Sequence, residues 1–401
     1  MINRITKILS IPAITLLLFT ACNEFIEPEK IYDENKTLNS GPQITSILPS
    51  DSAVAGVREI IINGSGFAVN STDTNWVFVG GEPALIKSIS ENQIVFYRPA
   101  KAGNDLTISV VIPSAEGFGK KEHYKVGQAI SNWGDLQFLP NKIMAIEVGN
   151  DESLFIATQT KLYKLDPDGI ILTEIVTFKG ADFLKFTDIK FGPDGYLYAC
   201  TDKDKVFQID PVTGDQTTYI DLNQRTTRLD FDQSGNLYAA KRKGVFIVTP
   251  SKTVTATNVM SGTEIVEMRV YNGSLYLATS KQIVKYSIQD GALVNEQQVT
   301  DLNTVAGFSN CSISSFNINS EGIILLCLSS HPAYSLFVLE NNGAITPYYY
   351  AEKIIPRGID QIVYGNDKFL YLNRGITVAA SDSVRLFKMG MDKAGAPYLG
   401  R

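Results

Sequence analysis

Histidine is the side chain most often used as a proton shuttle and metal ligand near neutral pH. It occurs only twice in this 401-residue chain, as His123 and His331. Neither a multi-histidine metal centre nor a histidine relay fits that count. The polar residues that can be aligned lie in six short alternating segments, MAIEV, TDIKF, TRLDF, VEMRV, SSFNI and DQIVY. Superposed, these segments bring Ala145, Asp188, Arg228, Glu267, Ser315 and Gln361 to one level. Mixed charge at one level suits a small polar or zwitterionic ligand, and it equally suits a self-neutralising lining. Asp188 and Glu267 have the residue types for acid–base work, but sequence does not give their separation. Loop residues Arg225, Lys241, Arg242, Lys243, His331, Arg357 and Arg374 add a local basic excess that can draw carboxylates. The plain account of them is scattered solvated charge. Aromatic rings stack on sugar faces and bury apolar area. Trp133 and the run Tyr348-Tyr349-Tyr350 stand outside the core rhythm and form a candidate glycan platform, although alternation should bury at least one tyrosine. The candidate ligand-binding set is therefore Trp133, Asp188, Arg228, Glu267, Tyr348, Tyr349, Arg357 and Gln361. Asp166-Pro-Asp-Gly169 has the dihedral preferences of a β-turn and lacks the ligand spacing of a calcium loop. No catalytic residue, metal or cofactor is expected.

The elements that must position these residues repeat along the chain. A polar turn followed by a strand recurs with anchors at Leu154, Leu197, Leu237, Leu275, Ile324 and Leu370, 38 to 49 residues apart. An alternating strand precedes each anchor, and a third strand follows it (KLYKLD, KVFQID, GVFIVT, IVKYSI, SLFVLE, RLFKMG). Four strands per repeat at this period describe a six-bladed β-propeller over residues 128–401. Blades packed round an axis bury faces that a lone sheet exposes, and closing the ring protects its edges. The expected closure pairs Asp135–Pro140 (DLQFLP) with the last blade, with Ala396–Gly400 (APYLG) as its competitor. The units Asp194-Gly-Tyr-Leu197-Tyr-Ala and Ser234-Gly-Asn-Leu237-Tyr-Ala resemble NHL-type propellers.

Residues 42–127 alternate short strands with turns, as an antiparallel sandwich does. Pro42-x-Ile44-x-x-Ile47-x-Pro49, Ile60-x-Ile62-x-Gly64-x-Gly66-Phe67, Val77-x-Val79-Gly80-Gly81 and Ile94-x-Phe96-x-x-Pro99 resemble the IPT/TIG immunoglobulin-like pattern. That resemblance implies a spacer domain. The fold expected for the whole chain is all-β, a sandwich followed by the propeller.

The chain is 44% hydrophobic and 19% charged, with net charge −6. This is a globular composition, and its sign opposes general nucleic-acid binding. Residues 1–21 have a basic start and a short apolar run, Ile8 to Phe19, as a secretory signal does. Leu18-Phe19-Thr20-Ala21-Cys22 resembles the bacterial lipobox, departing from it at Phe19. The resemblance implies that Cys22 is lipidated and that residues 22–41 are a tether, so the membrane is reached through a lipid anchor only. Acidic residues after Cys22 resemble the surface-export signal of Bacteroidetes lipoproteins and imply an outer-membrane anchor facing outward. Cys200, Cys311 and Cys327 read as buried thiols, with a Cys311–Cys327 disulfide left open. Tether, sandwich and propeller together resemble accessory surface lipoproteins of Bacteroidetes nutrient-uptake systems. The implied partners are a SusC-type porin and a SusD-type lipoprotein, and the implied work is non-catalytic capture of an oligosaccharide or oligopeptide. A protein-docking scaffold and a propeller lyase or hydrolase are the alternatives.

Overall fold

The computed structural model describes residues 39–69, 75–113, 115–116, 119–136, 139, 141–179, 185–241, 244–375 and 384–400. Cys22, the signal reading and residues 22–38 of the expected tether lie outside these residues, as do Arg242 and Lys243. The tether's last residues are corrected, since Asn39–Ser40 pairs parallel with Ala115–Glu116 as part of the sandwich. The described chain is all-β, as the alternation predicts.

The N-terminal sandwich packs a four-stranded sheet containing Gln43–Leu48, Glu59–Ser65, Gln93–Tyr97 and Ile86–Ser90 against a five-stranded one centred on Gly103–Val111. Ile60, Ile62, Ile94 and Phe96 from one sheet meet Val77, Val79, Ile108 and Val110 from the other in a single core. Period-2 burial of this kind fixes the register, because a one-residue slip would turn the whole apolar set to solvent. Gly64 is required by space: a Cβ there would stand 2.0 Å from the Gln43 carbonyl oxygen and 2.7 Å from the Phe67 ring.

Six four-stranded antiparallel sheets follow. Their inner strands are Ala145–Val148, Phe186–Phe191, Thr226–Phe231, Glu267–Tyr271, Ser312–Ile318 and Ile359–Tyr364. Blades one to five use consecutive strands. Blade six takes its outermost strand from the other end of the domain, Ile130–Asn132 pairing antiparallel with Leu386–Gly390. Trp133 N–H extends that edge by donating to Leu386 O at 2.9 Å. This corrects the expected closure. The closing strand lies a few residues earlier than expected, and the described Leu136 and Leu139 are buried in the core shared by blades one, five and six. Arg385 holds the passing chain by donating to Leu139 O and Asn141 O.

Ala396–Gly400 does not pair with blade six either. The segment crosses the channel at the end where the inner strands finish. Gly395 bridges Asn319, Ala396 N–H donates to Ile318 O, and Gly400 lies so close to Phe191 that a Cβ would be 2.1 Å from its carbonyl oxygen.

The sandwich rests on blades five and six through the tyrosine run. Gly56 N–H donates to Tyr349 Oη at 3.0 Å, Arg58 Nε donates to Tyr348 O at 2.9 Å, and Tyr97 stacks on Tyr350 with centroids 3.9 Å apart. The Arg98 guanidinium stands 5.8 Å from the Tyr349 ring centre. Tyr348 and Tyr349 are each only 3% exposed.

Candidate functional site

Along each inner strand alternate side chains face the axis, which gives two tiers. The tier nearest the strand starts is Ala145, Asp188, Arg228, Glu267, Ser315 and Gln361. The next holds Glu147, Lys190, Asp230, Arg269, Asn317 and Val363.

The upper tier ties the blades together. Asp188 Oδ2 accepts from Leu229 N–H at 2.9 Å, Gln361 Oε1 accepts from Ile146 N–H at 3.0 Å, and Ser315 Oγ accepts from Ile362 N–H at 3.3 Å. In each case the acceptor lies on the blade preceding the donor around the ring. Glu267 accepts from Ser315 Oγ at 2.9 Å and faces Arg228 Nε at 3.6 Å. Arg228 Nη1 donates to Thr187 O and Thr227 O at 3.1 and 2.7 Å. Asp188 is 1% exposed. Burial pushes its carboxyl up to about 7, with Glu267 adding to the rise and Lys190 and Arg228 opposing it. Burial alone would pull Arg228 down, but Glu267 and Asp188 outweigh it and hold the guanidinium above its ordinary value.

In four blades the pairing of inner and second strands slips by one residue immediately before the upper-tier position, between Phe186 and Asp188, Thr226 and Arg228, Ile313 and Ser315, and Ile359 and Gln361. A bulge re-aims the extra residue. Here Thr187, Thr227, Ser314 and Asp360 all turn towards the mouth and line a cavity of about 400 Å³ together with Lys142, Lys185, Arg225, Arg228, Glu264 and Gln361. Sequence reasoning missed the bulged four and Lys142, Lys185 and Glu264. A signal was present. The residue before the upper-tier position is polar in these four blades, and it is Met144 or Val266 in the two blades whose pairing is regular there.

The lower tier is paired charge to charge, with Arg269 Nε its one buried nitrogen lacking a hydrogen-bond partner among the described residues. Lys190 Nζ pairs with Glu147 Oε2 at 2.8 Å, and Arg269 Nη1 pairs with Asp230 Oδ2 at 3.1 Å, all four side chains being buried. Burial works against the Lys190 ammonium, but Glu147 and its other acidic neighbours keep it above its usual range. Tyr398 from the crossing segment lies with its ring centre 3.5 Å from the Arg269 guanidinium and accepts from Asn317 Nδ2 at 2.7 Å. Arg269 Nη2 also donates to Ala396 O and Pro397 O. The channel is thus blind, open at the strand starts and stoppered at the strand ends.

Of the residues singled out from sequence, Arg228 and Gln361 line the mouth, while Asp188 and Glu267 form its buried underside. Tyr348 and Tyr349 are not an exposed platform, because the sandwich covers them. Trp133 is half-buried, with Lys388 Nζ 4.1 Å from its ring centre and Tyr371 edge-on at 6.2 Å. Arg357 is exposed on the loop before blade six and contributes its carbonyl to Arg374 Nε; it does not line the cavity. His123 pairs with Asp105 on the sandwich, and His331 packs among Phe308, Tyr334 and Phe337. Cys200, Cys311 and Cys327 are buried free thiols. Among the described residues no three His, Cys, Asp or Glu side chains converge as a metal site requires.

Residues 42–125 match the IPT/TIG domain. No curated protein sequence matches the chain. Among solved structures, a Bacteroides thetaiotaomicron protein of unknown function is 13% identical, with 90% of this chain and 99% of that one covered at a TM-score of 0.50. A candidate phosphatase from the same organism is 10% identical, with 88% and 98% covered at 0.53. An auxiliary nutrient binding protein from Bacteroides ovatus is 13% identical, with 88% and 98% covered at 0.46. Identities this low speak to fold alone. Strand order, the match over residues 42–125 and the six closed sheets make this an all-β chain in which an IPT/TIG domain precedes a six-bladed propeller.

Proposed function

We propose that this protein is a non-catalytic surface lipoprotein, anchored through Cys22 at the outer membrane. In this reading it captures an oligomeric nutrient at the propeller mouth for a SusC/SusD-type importer. The observation that carries the reading is the blind cavity at the strand starts, with charged side chains at its rim and an upper tier beneath them fastened between blades. Its charged lining favours an oligopeptide over a glycan, since the tyrosines that would have offered sugar rings a face are committed to the domain junction. The IPT/TIG domain, docked on blades five and six, then acts as a rigid stand for the propeller.

A docking role has its own support in the exposed turn tips Ile170 and Ile171 on blade one and Val212 on blade two, which are 76%, 63% and 83% exposed. Exposed apolar clusters often mark protein contacts. The test is purification of the native lipoprotein from mildly solubilised outer membranes, with wild type beside Cys22→Ala. Co-purification of a SusC-type porin with wild type supports the importer reading. A protein that comes away alone, or is equally membrane-bound without Cys22, overturns it. Loss of the porin on Val212→Asp together with Ile170→Asp would show that the rim makes the contact.

A further inference from the structure

The charges around the mouth are unequally satisfied. Lys142 Nζ is paired with Asp360 Oδ2 at 2.5 Å, and Glu267 is engaged by Ser315 and Arg228. By contrast, the side chains of Lys185 and Arg225 form no ion pair or hydrogen bond among the described residues, and Arg228 Nη2 has no hydrogen-bond acceptor there. These three cationic groups come from adjacent blades, two and three, and all line the same cavity. The hydroxyls beside them are spent in the opposite sense. Thr187 Oγ1 donates to Thr226 O, Thr227 Oγ1 to Ile265 O, and Ser314 Oγ to backbone carbonyls. A hydroxyl whose proton is committed to a carbonyl can offer a ligand only its lone pairs. Glu264, on blade four, lines the cavity as a further acceptor.

We infer that the mouth binds an oligopeptide by a carboxylate, seated on Lys185, Arg225 and the outer edge of Arg228, with peptide N–H groups donating to the bulge hydroxyls and Glu264. A guanidinium edge matches a carboxylate in geometry as well as charge. The donors required of the rest of the ligand are those of a peptide backbone. None of the residues lining the cavity is aromatic, so a sugar ring has no face to stack on. This inference rests on the mouth being the ligand site of the proposed function. It is independent of which membrane partner, if any, receives the ligand.

The test is calorimetric titration of the full mature protein in detergent with triglutamate, with N-acetyl-triglutamine amide and with tri-galacturonate. Triglutamate is expected to bind, to weaken as salt rises, and to exceed the neutral peptide by about tenfold or more. Lys185→Ala with Arg225→Ala should weaken triglutamate by about tenfold. Neither side chain forms an ion pair or hydrogen bond among the described residues, so the melting temperature should change little. Equal binding of the neutral peptide, preference for tri-galacturonate, or no binding of triglutamate at millimolar concentration would each overturn the assignment. Failure here with a porin still co-purifying removes the carboxylate site and leaves the accessory role. Success here without a porin does the reverse.

Discussion

The two ends of the propeller channel are built from the same six strands, and they treat charge in opposite ways. At the strand ends Glu147, Lys190, Asp230 and Arg269 are buried in pairs, and residues 395–400 lie across them. At the strand starts Lys185 and Arg225 stand over a cavity of about 400 Å³ with no ion-pair or hydrogen-bond partner among the described residues. Alternation delivers polar side chains to the axis at both ends, so alternation is not what separates structure from site. The difference lies in the bulges. In four blades an extra residue turns towards one mouth and not the other. Charge paired in both directions is architecture, and charge left open above bulged hydroxyls is where a ligand has something to gain.

The sharpest way to break this contrast is to remove a lower-tier charge. Arg269→Leu leaves Asp230 buried without its ion pair and leaves two carbonyls of the crossing segment without a donor. Removing one member of a buried pair typically costs about 3–5 kcal/mol, and denaturant unfolding should show a loss of that order. A loss below about 1 kcal/mol would mean that the stoppered end is no more structural than the open one.

Asp188 sits between the two behaviours, and pH tests it. An unfolded aspartate titrates at about 3.9, whereas burial pushes this one up to about 7 in the folded protein. Between those values the native state keeps a proton that the unfolded chain has released. Raising the pH through the window from about 4 to 7 therefore favours unfolding through this group, and above 7 its contribution is flat. Lys190, Arg228 and Glu267 face it and are part of the same balance. In Asp188→Asn the amide oxygen can still accept from Leu229 N–H, so the fold should persist. The difference between wild type and variant in melting temperature should grow in the variant's favour from pH 4 to 7. A constant difference across that range would show that Asp188 is charged throughout.

Much of this was legible because it is local. The sixfold anchor, the alternation in MAIEV through DQIVY and the glycine at position 64 each leave a mark within a few residues. The upper tier could be aligned correctly from those marks alone. What the sequence hid are contacts between distant parts of the chain. Nothing near Tyr349 announces that Gly56, 293 residues away, will take its hydroxyl as an acceptor. DLQFLP reads as a closing strand, yet the plainer Ile130–Asn132 makes the edge and Leu136 and Leu139 are buried in the core. Within the site, the bulges were the part still recoverable. Thr187, Thr227, Ser314 and Asp360 are polar where strict alternation calls for an apolar residue, and those are the positions where the ladder slips.

The smallest expected effect belongs to the open end, and its smallness is the point. Lys185→Ala and Arg225→Ala, made singly, remove charges that hold nothing in the folded protein among the described residues. Surface substitutions away from packing and paired charge usually change stability by no more than about 0.5 kcal/mol, and both should fall within that range by denaturant unfolding. Lys142→Ala is the internal control on the same rim. It breaks a pair with Asp360 in which both side chains are roughly two-fifths exposed, and such a half-solvated pair contributes at most about 1 kcal/mol. The order expected is thus Arg269 far above Lys142, and Lys142 at or just above Lys185 and Arg225. Were Lys185→Ala or Arg225→Ala to cost as much as Arg269→Leu, the mouth would be a second load of architecture, and the open charges above the bulges would lose their claim on a ligand.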